Sequence, residues 1–255
     1  MTGSAAGMLW FKAWRESRAR FLICAAVIAA MCAAEVLFAG PARHWLGLRL
    51  SPDSYVHYIY RLTYAGTVRG LFSLFAGVLG LGGLQRERSL GTAGSTLALP
   101  VSRLRLVLVR AGVGVAEIAA MALLPALIIP ALSGLVQQTY PLSQAVQFGL
   151  LWFICGVAGF SAWLLASAFF ASDLTALTVC FAAGFLLGAA EQLSWLGRIL
   201  PSSNYVMSGI SMPYFDSRAA LLTGPLPWGI LLGMAVQTAA LLALAVRVTE
   251  SRDFP

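Results

Sequence analysis

Six long apolar segments, separated by shorter polar stretches, dominate the chain. They cover residues 21–38, 64–84, 104–131, 148–171, 174–190 and 226–246. A helix that crosses a membrane needs about 20 mostly apolar residues, and five segments come close to or exceed that length. The pattern predicts an all-α polytopic membrane protein with six transmembrane helices, in a single transmembrane domain over residues 1–255.

The composition agrees with this prediction. The chain is 59% hydrophobic and 11% charged, whereas soluble domains carry about 25% charged residues. The net charge of +7 does not indicate nucleic-acid binding, because the basic residues lie beside apolar segments, where anionic lipid headgroups attract them. Membrane lipid is therefore an expected partner, and nucleic acid is not.

The distribution of Lys and Arg predicts the orientation. In multi-pass proteins these residues concentrate in cytoplasmic loops. If both termini are cytosolic, eleven basic residues lie on the inner side and six on the outer side. We therefore expect both ends of the chain in the cytosol.

Two flanking segments carry further expectations. Residues 8–20 place Trp10 and Trp14 on one helical face and charged residues on the rest. This pattern predicts a helix that lies flat at the inner membrane interface; an ordinary charged flank of the first span is the alternative. Residues 191–225 form a long outer segment with little charge, which predicts short re-entrant helices whose backbone is buried by protein.

The segment over residues 85–103 is charged at its two ends and uncharged in between. Pro100 stops any helix, since it lacks an N–H group and favours extended geometry in the residue before it. Ser102 is suited to cap a new helix that begins with Arg103. The sequence thus predicts a short surface helix, a break and another span, which together offer a docking surface to a soluble protein.

The same segment resembles the permease family of ABC type-2 exporters. The resemblance rests on a Glu-Arg pair, a Gly-Thr pair and a Pro-Val-Ser-Arg run at matching spacings, with a basic residue seven positions further on at Arg110. The matching residues are Glu87, Arg88, Gly91, Thr92, Pro100, Val101, Ser102 and Arg103. The six-span plan, the amphipathic N-terminal segment and the long last outer loop are also similar, so the resemblance covers nearly the whole chain.

The resemblance implies a function. Residues 85–103 would be the coupling helix, which sits in a groove of a separate ABC ATP-binding subunit. The chain would be the permease subunit of an exporter in the bacterial cytoplasmic membrane, with a second permease subunit, identical or related, completing the transporter. The second and fifth spans would line the passage for a hydrophobic or amphipathic compound such as a drug, antibiotic, peptide or lipid.

The chain itself is not expected to bind ATP or to act as an enzyme. A P-loop needs a lysine followed by Ser or Thr after a glycine-rich turn, and the only lysine, Lys12, follows Trp10 and Phe11. We therefore expect no cofactor in this chain, and ATP and Mg on the partner subunit. The only histidines, His44 and His57, are predicted in the first outer loop, so no catalytic residue and no metal site is expected.

Four cysteines lie inside apolar segments without a CxxC pair, which does not indicate a disulfide or metal framework. They are Cys24, Cys32, Cys155 and Cys180. Three pairs of glycines with GxxxG spacing offer close helix contacts. These pairs are Gly66/Gly70, Gly184/Gly188 and Gly229/Gly233.

Three charged residues, Glu35, Arg69 and Glu117, are predicted within the membrane. A charged side chain at the bilayer centre costs ~2.5–3.5 kcal/mol on insertion scales, so such residues usually face a cavity or a partner. For Glu117 the alternatives are a group that lines or gates the passage and an interhelical hydrogen bond. Glu35 is expected near the outer headgroups, and Pro125 is expected, with Pro130, to kink or end the third span.

A second class of function shares the docking segment. A membrane anchor or sensor that recruits an ATPase without transporting anything would present the same surface between the second and third spans. The sequence leaves this alternative open beside the exporter.

Overall fold

The computed structural model describes residues 2–39, 52–81, 102–170, 172–190, 203–210 and 214–251. The helices in these ranges are α1 (Thr2–Leu37), α2 (Pro52–Ile59), α3 (Thr67–Gly80), α4 (Arg103–Ser133), α5 (Leu142–Phe169), α6 (Asp173–Ala190), α7 (Ser203–Ser208) and α8 (Trp228–Ser251). A π-helical turn, Tyr60–Tyr64, follows α2, and a 3-10 turn, Gly134–Val136, follows α4. The two-residue strands β1 (Phe215–Asp216) and β2 (Leu221–Leu222) pair in antiparallel fashion.

Five helical stretches within the described ranges are long and apolar enough to cross a membrane. They are Gly7–Leu37, Tyr55–Gly80, Leu104–Val136, Leu142–Phe169 and Trp228–Ser251. Helix α6 carries a shorter apolar stretch, Leu174–Leu186. These lengths and compositions are those of a multi-pass membrane protein, which confirms the predicted class of fold at this level.

Helices α4 and α5 form the centre of the bundle. Helix α5 packs against α3, α4, α7 and α8, and α4 also packs against α1. The helices are apolar on both faces, so the burial of each residue shows whether it belongs to the core or to the lipid-facing surface. In α8, for example, Leu231 and Met234 are buried, while Leu232 and Val236 are exposed. The packing therefore decides which apolar residues contact protein.

Helices α3 and α5 approach each other closely because α3 presents glycines at the contact. A Cβ atom at Gly77 would lie 2.4 Å from the indole ring of Trp163. One at Gly80 would lie 2.6 Å from the backbone carbonyl oxygen of Phe160. The last turn of α3 thus fits against the backbone of α5 only without a side chain.

Helix α1 differs from the expectation of a separate interfacial helix over residues 8–20. It is one continuous helix of 36 residues, about 54 Å long at 1.5 Å per residue. The indole of Trp10 lies against Gly112, and further along Ser17 hydrogen-bonds Glu117. Successive residues of α1 thus meet successive residues of α4, so the two helices run parallel and residues 8–20 pack along α4.

The second span begins earlier than the prediction of 64–84. Helical structure starts at Pro52 and finishes at Gly80, which places His57 in α2 rather than in an outer loop. The tyrosines in this stretch lower its hydropathy, but the hydroxyl groups of Tyr55, Tyr58 and Tyr60 have hydrogen-bond partners inside the protein. The hydroxyl groups of Tyr55 and Ser133 lie 2.6 Å apart, and the hydroxyl of Tyr58 donates to the backbone carbonyl of Glu35.

Two further boundaries differ from the predictions. Helix α4 continues past Pro125 and Pro130 and ends only at Ser133, so neither proline ends the third span. Helix α5 begins at Leu142 rather than at 148. Gln144 in its first turn is buried, and its amide forms its hydrogen bonds with the backbone of Leu222 instead of with water. The fifth span corresponds closely to α6, and the sixth to α8, which extends beyond 246 to Ser251.

The segment 191–225, which the sequence predicts on the outer side, contains one short helix, α7, and the β1–β2 hairpin within its described residues. Val206, Met207 and Ser208 of α7 are fully buried or nearly so. A short helix buried by protein agrees with the expectation for this segment, whereas the hairpin was not predicted from the sequence.

Candidate functional site

The helix that follows the predicted docking segment begins where the sequence indicates. Helix α4 starts at Arg103, and the Ser102 side chain accepts a hydrogen bond of 3.3 Å from the backbone N–H of Arg105. This is the geometry of an N-cap, which satisfies one of the unpaired N–H groups of the first turn. The predicted cap at Ser102 is confirmed. The other predicted docking residues, Glu87, Arg88, Gly91, Thr92, Pro100 and Val101, lie outside the described residues.

The carboxyl end of α3 is held by two arginines from different helices. The carbonyl oxygen of Leu81 accepts a hydrogen bond of 3.0 Å from Arg20 of α1 and one of 2.7 Å from Arg110 of α4. A carbonyl oxygen has two lone pairs, so these bonds use its full capacity. Cations are also favoured at the carboxyl end of a helix, where the helix dipole is negative.

A buried carboxylate lies next to these arginines. Glu117 of α4 is only 2% exposed and accepts a hydrogen bond of 2.5 Å from the hydroxyl of Ser17 in α1. Arg110 and Arg20 are close enough to attract the carboxylate electrostatically. Glu117 thus forms an interhelical hydrogen bond, which is one of the two alternatives that the sequence left open.

We call the set Ser17, Arg20, Leu81, Arg110 and Glu117 the arginine junction. It joins α1, α3 and α4 at the end of the bundle where α3 finishes, which we call the Leu81 end. Its two guanidinium groups remain charged at any physiological pH, and together with Ser17 they offset part of the cost of burying Glu117. The arrangement is suited to holding helices together rather than to catalysis.

Glu35, expected near the headgroups, instead faces the interior. It is 9% exposed, and its carboxylate accepts a hydrogen bond from the hydroxyl of Thr63 in the π-helical turn. Arg69 is half-buried in α3 and interacts electrostatically with Tyr60. The structure therefore does not bring the three predicted intramembrane charges together, because only Glu117 belongs to the arginine junction.

The opposite end of the bundle, which we call the Leu222 end, carries a network of polar contacts around the start of α5. The amide of Gln144 pairs with the backbone of Leu222 in both directions, at 2.8 and 2.9 Å. The indole N–H of Trp152 donates to the carbonyl of Met207, and the hydroxyl of Tyr60 donates to that of Ser208. These bonds attach α7 and the hairpin to α5, and α7 also to the π-helical turn.

Tyr140, between α4 and α5, lies beside an aromatic ring at the Leu222 end. Its ring stacks with that of Tyr64 at a centroid distance of 6.0 Å. Burial raises the pKa of the Tyr140 hydroxyl above its usual range, with a smaller contribution from Tyr55. The Leu222 end is therefore a packed aromatic region.

Sites for a metal or a covalent link are not evident in the described part of the chain. Within it, no three residues among His, Cys, Asp and Glu are grouped so that they could hold a metal ion. All four cysteines are free, and Cys24, Cys32 and Cys155 are buried while Cys180 is half-buried.

Sequence reasoning missed the main contacts of the arginine junction. The sequence marks Arg20 only as a basic residue next to an apolar span and Arg110 as the basic residue seven positions after Arg103, and it does not single out Ser17 or Leu81. The available signal was a basic residue at the end of each of two spans. This signal does not show that both residues bind the same carbonyl oxygen. No family model matches this chain, and none of the curated proteins matches it in sequence.

Proposed function

We propose that the chain is the permease subunit of a bacterial ABC exporter for a hydrophobic or amphipathic compound, driven by a separate ATP-binding subunit. The observation that carries the proposal is the position of the described residues that flank the predicted docking segment. Leu81 precedes the segment and Ser102 lies near its end, and both belong to chain stretches whose helices, α3 and α4, the arginine junction joins. A partner that binds between them would act directly on α3 and α4.

The charge at the Leu81 end supports a cytosolic orientation for this segment. The exposed residues Arg15 and Arg18 of α1, and the half-buried Arg105 of α4, lie in the parts of these helices nearest that end. Basic residues at this density are typical of the inner side of a membrane. Both termini would then be cytosolic, since α1 starts and α8 finishes at the same end.

The path of the chain supports six crossings although five stretches meet the length criterion. Helix α6 begins after the carboxyl end of α5. Helix α7 and the hairpin then contact the first turns of α5, through Trp152 and Gln144. Between these two points the described part of the chain contains α6, which provides 18 helical residues for a return along the bundle.

A second permease subunit is supported by exposed helix faces with little side-chain volume. A Cβ atom at Gly184 of α6, or at Gly229 and Gly233 of α8, would meet nothing within 4 Å. Gln237, near the middle of α8, is exposed on the same stripe as these α8 glycines. A carboxamide that faces hydrocarbon is unfavourable, and contact with a neighbouring helix would supply its hydrogen bonds.

The proposal is tested with the double variant Glu87→Ala and Arg103→Ala in the full chain, expressed with its ATP-binding partner. We expect normal insertion into the membrane, loss of the co-purified ATPase, and loss of ATP-dependent efflux from cells or vesicles. The matched control is Glu16→Ala with Arg18→Ala, which removes one acid and one base from exposed positions of α1. This control is expected to retain binding and efflux.

The same experiment separates the exporter from the anchor or sensor. Full retention of ATPase binding by the double variant contradicts the docking role of residues 85–103. An ATPase that binds wild-type chain but drives no efflux of any tested hydrophobic dye or drug, with no stimulation of hydrolysis by these compounds, favours the anchor or sensor.

A further inference from the structure

The arginine junction connects three helices through one backbone atom. Arg20 reaches Leu81 across 61 positions of sequence and Arg110 across 29. Leu81 has left the helical conformation, with ψ of 154°, and its carbonyl points at both guanidinium groups. The chain then enters residues 82–101, so this carbonyl is the last described point of α3 before the predicted docking segment.

We propose that Arg20 and Arg110 are positioning residues that tie the carboxyl end of α3 to α1 and α4, so that displacement of the segment after Leu81 moves the three helices together. This inference rests on the proposed function, because docking of the ATP-binding subunit supplies the displacement. It adds the residues through which the displacement passes into the membrane helices.

Each arginine joins the carboxyl end of α3 to a different neighbour. Arg20 connects Leu81 to α1, and Arg110 connects Leu81 to α4. Hydrogen bonds from charged donors are stronger than those from neutral donors. The two arginines therefore oppose separation of the helices more strongly than contacts between apolar side chains alone.

Glu117 completes the connection between α1 and α4. Its carboxylate is held by Ser17 of α1 and lies in the field of Arg20 and Arg110. It thereby reduces the repulsion between the two guanidinium groups, which must approach the same oxygen. Helices α1 and α4 are thus joined directly by the Ser17–Glu117 bond and indirectly through Leu81.

Binding of lipid headgroups is a different use of arginines at a membrane surface. Arg15 and Arg18 are exposed, as expected for residues that face headgroups. Arg20 and Arg110 are half-buried and turn inward to a carbonyl group of another helix. Their geometry therefore corresponds to a helix-to-helix connection.

The connection is tested first in the full chain alone, in lipid nanodiscs, by hydrogen exchange. Arg20→Gln and Arg110→Gln are each expected to accelerate exchange at least fivefold in peptides that contain the last turn of α3. The control Arg15→Gln replaces an exposed arginine of α1, and the same peptides should exchange in this variant as fast as in wild type. Arg20→Lys and Arg110→Lys keep the charge and are expected to restore part of the protection. Wild-type exchange in both glutamine variants overturns the connection.

Transmission is tested with the ATP-binding partner bound. In wild type, ATP is expected to change exchange in peptides of α1 and α4 around Ser17 and Glu117. The variant with Arg20→Gln and Arg110→Gln should keep ATP hydrolysis within about twofold of wild type while losing this ATP-dependent change. Should the change persist in the double variant, the role in transmission is overturned. Absence of any ATPase bound to wild type contradicts the proposed function, whereas the experiment on the chain alone is independent of it.

Discussion

At the scale of single residues, the contact between α3 and α5 depends on Gly80. A Cβ atom there would lie 2.6 Å from the carbonyl oxygen of Phe160 and 3.1 Å from the backbone nitrogen of Leu164. Because backbone atoms cannot rotate away, Gly80→Ala must push the two helices apart. Overpacking of this kind costs about 1–3 kcal/mol, so we expect a lower thermal midpoint for the detergent-solubilised protein.

The control for this substitution is Gly159→Ala, in the partner helix beside the contact. A Cβ atom at Gly159 would meet nothing within 4 Å, and Ala favours a helix over Gly by up to about 1 kcal/mol. Its midpoint should equal or exceed that of wild type. Equal midpoints for Gly80→Ala and wild type would show that α3 and α5 are further apart than the structure has them.

Individual residues also show where sequence reasoning succeeds. Ser102 was predicted as a cap because a cap depends on the residue itself and on three neighbours along the chain. Arg20 could be placed near the membrane surface, but its partner Leu81 is distant in sequence. Local rules carry no information about which carbonyl a long side chain reaches.

At the scale of elements, the start of α4 depends on the cap at Ser102. Ser102→Ala removes the side-chain acceptor of the Arg105 N–H, and loss of such a cap costs about 0.5–2 kcal/mol. We expect fraying of the first turn of α4. Hydrogen exchange in a peptide that contains Arg105 and Leu106 should accelerate, by about fivefold for each 1 kcal/mol lost.

The conservative variant Ser102→Asn provides the control, because Asn is among the best N-cap residues. Its exchange should remain within twofold of wild type. If alanine exchanges no faster than asparagine, the cap does not define the start of α4 in the membrane.

The boundaries of the elements were predicted unevenly. Helices α6 and α8 follow from hydropathy, since their apolar runs are uninterrupted. The stretch Tyr55–Gly80 was shifted because hydropathy counts a tyrosine hydroxyl as polar. In the folded protein the hydroxyls of Tyr55, Tyr58 and Tyr60 bond to Ser133 and to the backbone carbonyls of Glu35 and Ser208, so the polarity of these three tyrosines is satisfied internally.

At the scale of the whole molecule, the proposed path of the chain predicts the side of the membrane on which each end of α8 lies. Single cysteines at Ser217, in the hairpin, and at Ser251, at the end of α8, replace exposed serines. A membrane-impermeant maleimide should label Ser217→Cys in intact cells and Ser251→Cys only after lysis. Gly7→Cys, at an exposed and open position of α1, should behave as Ser251→Cys does.

The wild-type chain serves as the background for this labelling. Three of its cysteines are buried and Cys180 is half-buried within α6, so the wild type should label weakly on either side. Labelling of both Ser217→Cys and Ser251→Cys from the same side would contradict the crossing by α8. Opposite behaviour of Gly7→Cys and Ser251→Cys would contradict an even number of crossings.

The sequence by itself determined that the chain belongs in a membrane, roughly where its apolar helices lie, and that a helix starts after Ser102. These properties follow from the length of apolar runs and from local backbone rules, both of which can be read along the chain. Only the tertiary structure decided which apolar faces are buried, that residues 8–20 pack along α4, and that two arginines share the carbonyl of Leu81. The reason is physical: in lipid, core and surface are equally apolar, so the sequence pattern cannot separate them. Contacts between residues far apart in sequence exist only once the helices are packed.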